Sequence, residues 1–320
     1  MEPVTLDQIR AAAQRIAPVA RRTPVRASGS FNRRAGVEAF FKCENLQRGG
    51  AFKIRGAANF IYSIPEADRP RGVVAFSSGN HAQAVAIAAR SIQMAATLVM
   101  PLDAPASKLA ATRSHGPRIV TYDRLREDRE AIGRRIAAES GATLVPPFDH
   151  PWIIAGQGTA ALELIEEVAD LDALVVCLGG GGLLSGCAIA ARALAPRMRV
   201  FGVEPELAND YWLSRRAGEP VTIAPPDTIA DGLRTTTPGR HTFPIIQSLV
   251  EDILLVSEDE IRAAMAFLLS RTKLLVEPSG AVAAAAVLFG KLPPGLRRVG
   301  VLLSGGNVDL DFLASLPADA

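Results

Sequence analysis

The sequence predicts an α/β protein of two domains, each an open, mostly parallel twisted sheet flanked by helices. Short apolar runs of strand length alternate with stretches of helix length between residues 72 and 145, and the theme repeats between 154 and 303. Such alternation marks βαβ units and a parallel sheet. Pro146-Pro147 closes the first block, and the polar, proline-bearing stretch from Ser63 to Arg71 precedes it. The expected domains are therefore residues 1–66 with 148–320, the larger, and residues 67–147, the smaller.

Leu6, Ile9, Ala13 and Ile16 repeat at helical spacing behind Thr5, a capping residue. Thr23-Pro24-Val25 breaks into an extended segment, and residues 37–42 read as a strand that feeds the stretch around Lys53. Strands follow at 73–76, 97–100, 119–122 and 143–145, separated by helices at 81–90, 107–114 and 127–139. The second block opens with a helix at 154–168. Its strands fall at 174–178, 200–203, 253–256 and 299–303, and its helices at 183–193, 243–250, 258–270 and 279–288. Residues 217–240, rich in Gly, Pro and Thr, read as loop.

The chain of 320 residues is 48% hydrophobic and 21% charged, enough for a substantial core. A net charge of +2 gives no reason to expect nucleic acid or an anionic membrane as partner. Cys43, Cys177 and Cys187 have no metal-ligand spacing, and so low and odd a count fits a reducing compartment. The N-terminus lacks the basic start and apolar centre of a signal peptide. The uncharged run from Ala173 to Ala191 is split by four glycines, so a buried strand, turn and helix explain it better than a membrane span. A cytoplasmic location is expected.

Lys53 lies between Phe52 and Ile54, with Gly49 and Gly50 before it and Gly56-Ala57-Ala58 after it. An ammonium in apolar surroundings is hard to keep charged, so its pKa falls. The neutral amine forms a Schiff base with a carbonyl, and the aldehyde of pyridoxal phosphate (PLP) is the most available one in metabolism. A surface lysine opening a helix is the ordinary alternative. Three small-residue loops at strand ends, where open parallel sheets bind ligands, argue against it. Ser77-Ser78-Gly79-Asn80-His81 offers hydroxyls, an amide and backbone N–H groups suited to a carboxylate, or else an ordinary helix cap. Gly179-Gly180-Gly181-Gly182 can turn its amides around a phosphate monoester; no Lys-Ser or Lys-Thr follows, so it is not a nucleotide P-loop. Ser304-Gly305-Gly306-Asn307 puts a hydroxyl where it could meet a ring nitrogen. A hydroxyl leaves that nitrogen largely unprotonated, so the ring is a weaker electron sink, which favours expulsion of a leaving group.

These segments, with Ile229-Ala230-Asp231-Gly232, occur in an order that resembles the fold-type II PLP enzymes, the tryptophan synthase β-like group. The nearest branch is the serine/threonine dehydratases and serine racemases. The resemblance spans nearly the whole chain and implies a cofactor in a cleft between the two domains and a homodimer. It gives Lys53 as the PLP lysine beside Phe52, Gly179 to Gly182 as the phosphate cup, Asn80 at the ring hydroxyl and Ser304 at the ring nitrogen. Ser77, Ser78, Gly79, Asn80 and His81 would take the substrate carboxylate, and Ser78 would face the lysine from the opposite side. Ala51 stands where the family often has Ser, and Ala82 where racemases often have Gly. Glu204, the carbonyl of Ala208 and Asp210 resemble a divalent-cation site, and hard oxygen ligands suit Mg²⁺ or Ca²⁺; two solvated loop carboxylates are the alternative. The implied reaction is loss of water from serine or threonine, giving pyruvate or 2-oxobutanoate and ammonia. Racemisation, or dehydration of 3-hydroxyaspartate or phenylserine, is the rival. A β-carboxylate would need a cation, for which Arg129 and Arg234 are the candidates. The regulatory domain of biosynthetic threonine dehydratases is not expected.

Overall fold

The computed structural model describes residues 3–77, 79–104, 106–123 and 126–317. Among them, ten strands form two sheets: β1 (Val25–Ala27), β2 (Glu38–Cys43), β3 (Val73–Phe76), β4 (Ala96–Pro101), β5 (Arg118–Tyr122), β6 (Thr143–Leu144), β7 (Ala173–Cys177), β8 (Arg199–Pro205), β9 (Asp252–Val256) and β10 (Arg298–Leu303). The larger sheet runs β1-β2-β10-β7-β8-β9 and the smaller β5-β4-β3-β6. All pairings are parallel except that of the edge strand β1 with β2. Strands covered on both faces read as unbroken apolar runs, and β7, Ala-Leu-Val-Val-Cys, is buried at every position.

The first helix, Leu6–Ile16, is closed by a capping box in which Thr5 and Gln8 bond each other's backbone. Helices Gly29–Ala35 and Asp210–Ala217 were not anticipated. Both are short, and their apolar residues are too few to show a helical period. The helix expected over 258–270 gives way to a π-turn at Leu268–Thr272, ended by Lys273 at a φ of 62°.

Helix Pro151–Glu167 lies at the centre of the helical layer. It packs on helix Lys53–Tyr62 and on helix Gly182–Leu194, and both crossings are made by glycine. A Cβ on Gly156 would lie 2.5 Å from the Arg55 carbonyl oxygen and 2.7 Å from the Gly56 Cα. A Cβ on Gly158 would lie 2.7 Å from the Gly186 carbonyl oxygen. The obstructing atoms are backbone and cannot swing aside. Gly156→Ala should therefore destabilise the protein by ~1–3 kcal/mol, the usual cost of overpacking. The check is the urea midpoint; a variant that unfolds with wild type would mean that the crossing is looser than its contacts indicate.

Candidate active site

The loops after β2, β3, β7 and β10 meet around one cavity of about 590 Å³. Its lining includes Phe52, Lys53, Ser77, Gly79, Asn80, His81, Gly179 to Gly182 and Ser304. Residues far apart in the chain are thus gathered as the sequence reading expected. Ser78 lies outside the described residues.

Lys53 opens its helix one residue after Phe52. The loop before it is pinned by a small backbone ladder to the loop after β10. Ala51 bridges Gly305, the Phe52 N–H donates to the Ser304 carbonyl (3.0 Å) and the Gly306 N–H to the Gly50 carbonyl (2.8 Å). Two residues on, Arg55 is buried and fixes the rotation of the helix. Its guanidinium pairs with Glu44 and Glu163, each at 2.7 Å, and donates to Thr159 Oγ1 (3.0 Å). A buried arginine is tolerable only with such pairing. The Lys53 ammonium donates to the Pro147 carbonyl (3.0 Å) and lies 5.1 Å from the centre of the Phe52 ring. Burial lowers its pKa to about 8, partly opposed by Cys177 and Glu277.

Opposite stands the glycine loop, at the N-terminus of helix Gly182–Leu194, which has no side-chain cap. The carbonyl of Gly180 is held from behind by Tyr211 Oη (3.1 Å) and Thr242 Oγ1 (3.0 Å). A trans peptide turns its N–H opposite to its carbonyl, so the Gly181 N–H faces away from these hydroxyls. Gly181 has a φ of +84°, and a Cβ there would meet Tyr211 Oη at 2.4 Å; only glycine fits this turn. Phe148 packs under Gly180, where a Cβ would lie 2.2 Å from its ring.

The loop after β3 starts helix Asn80–Ser91, again with no side-chain cap. The Ser77 hydroxyl accepts from the Gly79 N–H (3.2 Å), so it does not close the helix. His81 is buried, its Nε2 3.2 Å from the Val145 carbonyl. Burial first, and the charge of Lys53 second, push its pKa down to about 3. It is a neutral ring at physiological pH. Ser304 is buried at the cavity floor, 3.4 Å from the Ser279 carbonyl to which it donates.

Arg129 and Arg234, which the sequence could not place, both line the cavity. The Arg129 guanidinium lies 5.9 Å from the centre of the Phe76 ring, and Arg234 Nε donates to the Pro226 carbonyl (2.8 Å). Sequence reasoning missed Phe148, Gln157, Thr235 and Glu277, which share the lining. Gln157 follows the crossing glycine and brings in a buried Oε1 with no hydrogen-bond partner among the described residues. Nothing in the local pattern marks these four; they reach the cavity through tertiary packing.

Glu204 and Asp210 lie outside the cavity and are both fully buried, so they are not solvated loop carboxylates. Glu204 accepts the N–H groups of Tyr211 (3.1 Å) and Trp212 (2.9 Å). Asp210 Oδ1 accepts from Thr235 Oγ1 (3.3 Å), and its Oδ2 has no partner among the described residues. Burial and mutual repulsion raise Glu204 well above the usual carboxylate range, and burial raises Asp210 to about 6. Among the described residues no group of three or more His, Cys, Asp or Glu side chains is placed to hold a metal ion. Two carboxylates with one orphaned oxygen would still suit a hard cation completed by a carbonyl and water. No helix among the described residues is long and apolar enough to cross a membrane.

An uncapped glycine turn facing a buried amine, in a cavity of cofactor size, suits a phosphorylated aldehyde. Comparison with known proteins agrees. Residues 16–305 match the family model described as pyridoxal-phosphate dependent enzyme. An L-threo-3-hydroxyaspartate ammonia-lyase of a Pseudomonas species is 53% identical, over 95% of this chain and 96% of that protein. A serine racemase of Schizosaccharomyces pombe is 50% identical, over 97% of this chain and 96% of that protein. The structure of maize serine racemase superposes with a TM-score of 0.94 at 42% identity, over 98% of this chain and 96% of that one. The chain belongs to the pyridoxal-phosphate dependent enzymes whose solved structures include the fold-type II serine racemases.

Proposed function

We propose that the protein eliminates water from a β-hydroxy amino acid to release an enamine, which water then hydrolyses to a 2-oxo acid and ammonia. The observation that carries this reading is the buried amine of Lys53 facing the glycine cup, with a neutral hydroxyl, Ser304, on the cavity floor. PLP, when bound, supplies the electron-withdrawing ring that makes the substrate's α-hydrogen acidic. Lys53 Nζ would hold the cofactor and would take the α-proton of the substrate. A pKa of about 8 leaves about one amine in ten neutral at pH 7, where an ordinary lysine leaves almost none. The amides of Gly179 to Gly182 would bind the cofactor's phosphate, and Asn80 and Ser304 would orient its ring. The N-terminus of helix Asn80–Ser91, with Ser77 and Ser78, takes the substrate carboxylate. His81 orients through its bond to Val145, since a ring with a pKa of about 3 delivers no proton near neutrality. Purified protein should carry a visible absorption band, and borohydride should fix the cofactor to Lys53. Label on any other lysine defeats the assignment.

The two guanidinium groups in the cavity favour 3-hydroxyaspartate over serine or threonine as substrate, because a β-carboxylate needs a cation where these need none. The 53% identical relative is named for that reaction. A panel of L-serine, L-threonine and both 3-hydroxyaspartate diastereomers, assayed for oxo acid and for inverted enantiomer, should show highest kcat/KM with one 3-hydroxyaspartate. Arg129→Met combined with Arg234→Met should lower that value by about 100-fold or more, the loss of a charge-assisted hydrogen bond being worth roughly 1.5–3 kcal/mol. Equal loss with L-serine would refute the assignment, and faster inversion of L-serine than its dehydration would point to a racemase.

Glu204, the Ala208 carbonyl and Asp210 hold Mg²⁺ or Ca²⁺ in this reading. The orphaned Asp210 Oδ2 supports it. A bound cation would hold both carboxylates ionised. EDTA should lower the melting temperature and either ion restore it, whereas Glu204→Gln should melt alike with and without EDTA. A wild type indifferent to EDTA would leave no cation there.

A further inference from the structure

Glu277 is a buried acid in the cavity to which neither the expected reaction nor the expected cofactor contacts give a part. It precedes helix Pro278–Leu288 and is 2% exposed. Its backbone N–H donates to the Gly305 carbonyl (3.0 Å), which ties it to the loop that carries Ser304. Its Oε1 accepts from Asn80 Nδ2 at 2.6 Å, a short, charge-assisted bond. A Cβ on Gly305 would lie 2.2 Å from this oxygen, so the small residue there makes room for the carboxylate.

A side-chain amide has a donor end and an acceptor end that trade places on a half-turn. At Asn80 the choice is forced from both sides. The Glu277 carboxylate, when ionised, accepts only, so the NH₂ must face it. Asn307 Nδ2 donates to Asn80 Oδ1 (2.8 Å). Asn307 is oriented in turn, because the same nitrogen donates to the Gly49 carbonyl (2.8 Å), which also accepts only. The relay leaves Asn80 one further N–H, fixed in direction, in the wall of the cavity.

The same carboxylate acts on Lys53. Glu277 and Cys177 raise the pKa of the amine against the lowering by burial, and Asp103, Asp231, Arg129 and Arg234 share the cavity lining with it. His81 is within the field of Lys53 but neutral, and the Cys177 thiol, pushed up to about 11 by burial, is uncharged near neutrality. Glu277 thus shares the cavity wall with Lys53 and favours the charged form of its amine.

We propose that Glu277 is a positioning residue of the reaction: its carboxylate sets the Asn80 amide toward the cofactor ring and holds the charge balance of Lys53. The first half rests on the function proposed above; the second does not, because it concerns the amine alone. The full-length protein, freed of cofactor, is labelled with an amine-acylating reagent across pH, and Lys53 is quantified by peptide mass. Glu277→Gln keeps an acceptor for Asn80 and removes the charge. Its Lys53 labelling profile should move to lower pH, with labelling at pH 7 about twofold faster or more, as a half-unit fall in pKa requires. Asn307→Ala keeps the charge and breaks the relay. It should leave the labelling profile in place, but shift the absorption band of the bound cofactor and weaken its binding about tenfold, the worth of roughly one lost hydrogen bond. A wild-type labelling profile in Glu277→Gln, or a wild-type band and affinity in Asn307→Ala, overturns the proposal. Failure of borohydride to mark Lys53 would instead overturn the function reading and leave the labelling result standing.

Discussion

The site depends on how closely helix Pro151–Glu167 approaches its two neighbours. One neighbour begins with Lys53 and the other with the glycine cup. Gly156 and Gly158 bring backbone against backbone, so the spacing between amine and cup is set by hard contact. Side chains at such a crossing would change rotamer and let the helices drift; backbone cannot. The Arg55 pairs with Glu44 and Glu163 then stop the lysine helix from turning about its own axis. Translation and rotation of the amine are thus fixed by two different kinds of force.

Within that frame, chemistry is set mainly by how much water each group loses. Lys53 is shifted toward its neutral form and His81 is wholly neutral, both because burial disfavours charge. Glu204 and Asp210 follow the same rule with the opposite sign: burial raises both, and the neighbouring Asp210 raises Glu204 further. In the same cavity the buried side chain of Ser304 is a hydroxyl, not a carboxylate. One cavity therefore holds an amine that is partly neutral near pH 7 and a neutral hydroxyl together.

Much of this was legible in the sequence because the loops that line the cavity follow strand ends, where small residues interrupt an apolar run. Lys53, the four glycines and Ser304 each carry that local signature. Strand positions were recovered closely for the same reason, since both sheets are buried and their strands read as apolar blocks. Glu277, Gln157 and Phe148 were invisible because nothing within ten residues of them distinguishes a cavity wall from a helix start, a core amide or a packed ring. The acid pair was legible as a motif, but not its burial, which depends on the unanticipated helix Asp210–Ala217 and on Thr235 reaching back from the loop. Short helices without an apolar period leave no trace for a pattern to find.

The ladder between Ala51 and Gly305 joins opposite ends of the chain. Strand β2, which leads to Lys53, is separated in the chain from its parallel neighbour β10 by the seven strands β3 to β9. Until β10 docks, the Phe52 N–H and the Gly50 carbonyl lack their ladder partners in the Ser304 loop. Contacts so distant in sequence are slow to form, because the loop they close must be ordered first. A chain whose β10 has not docked therefore lacks the ladder that orders the loop before Lys53.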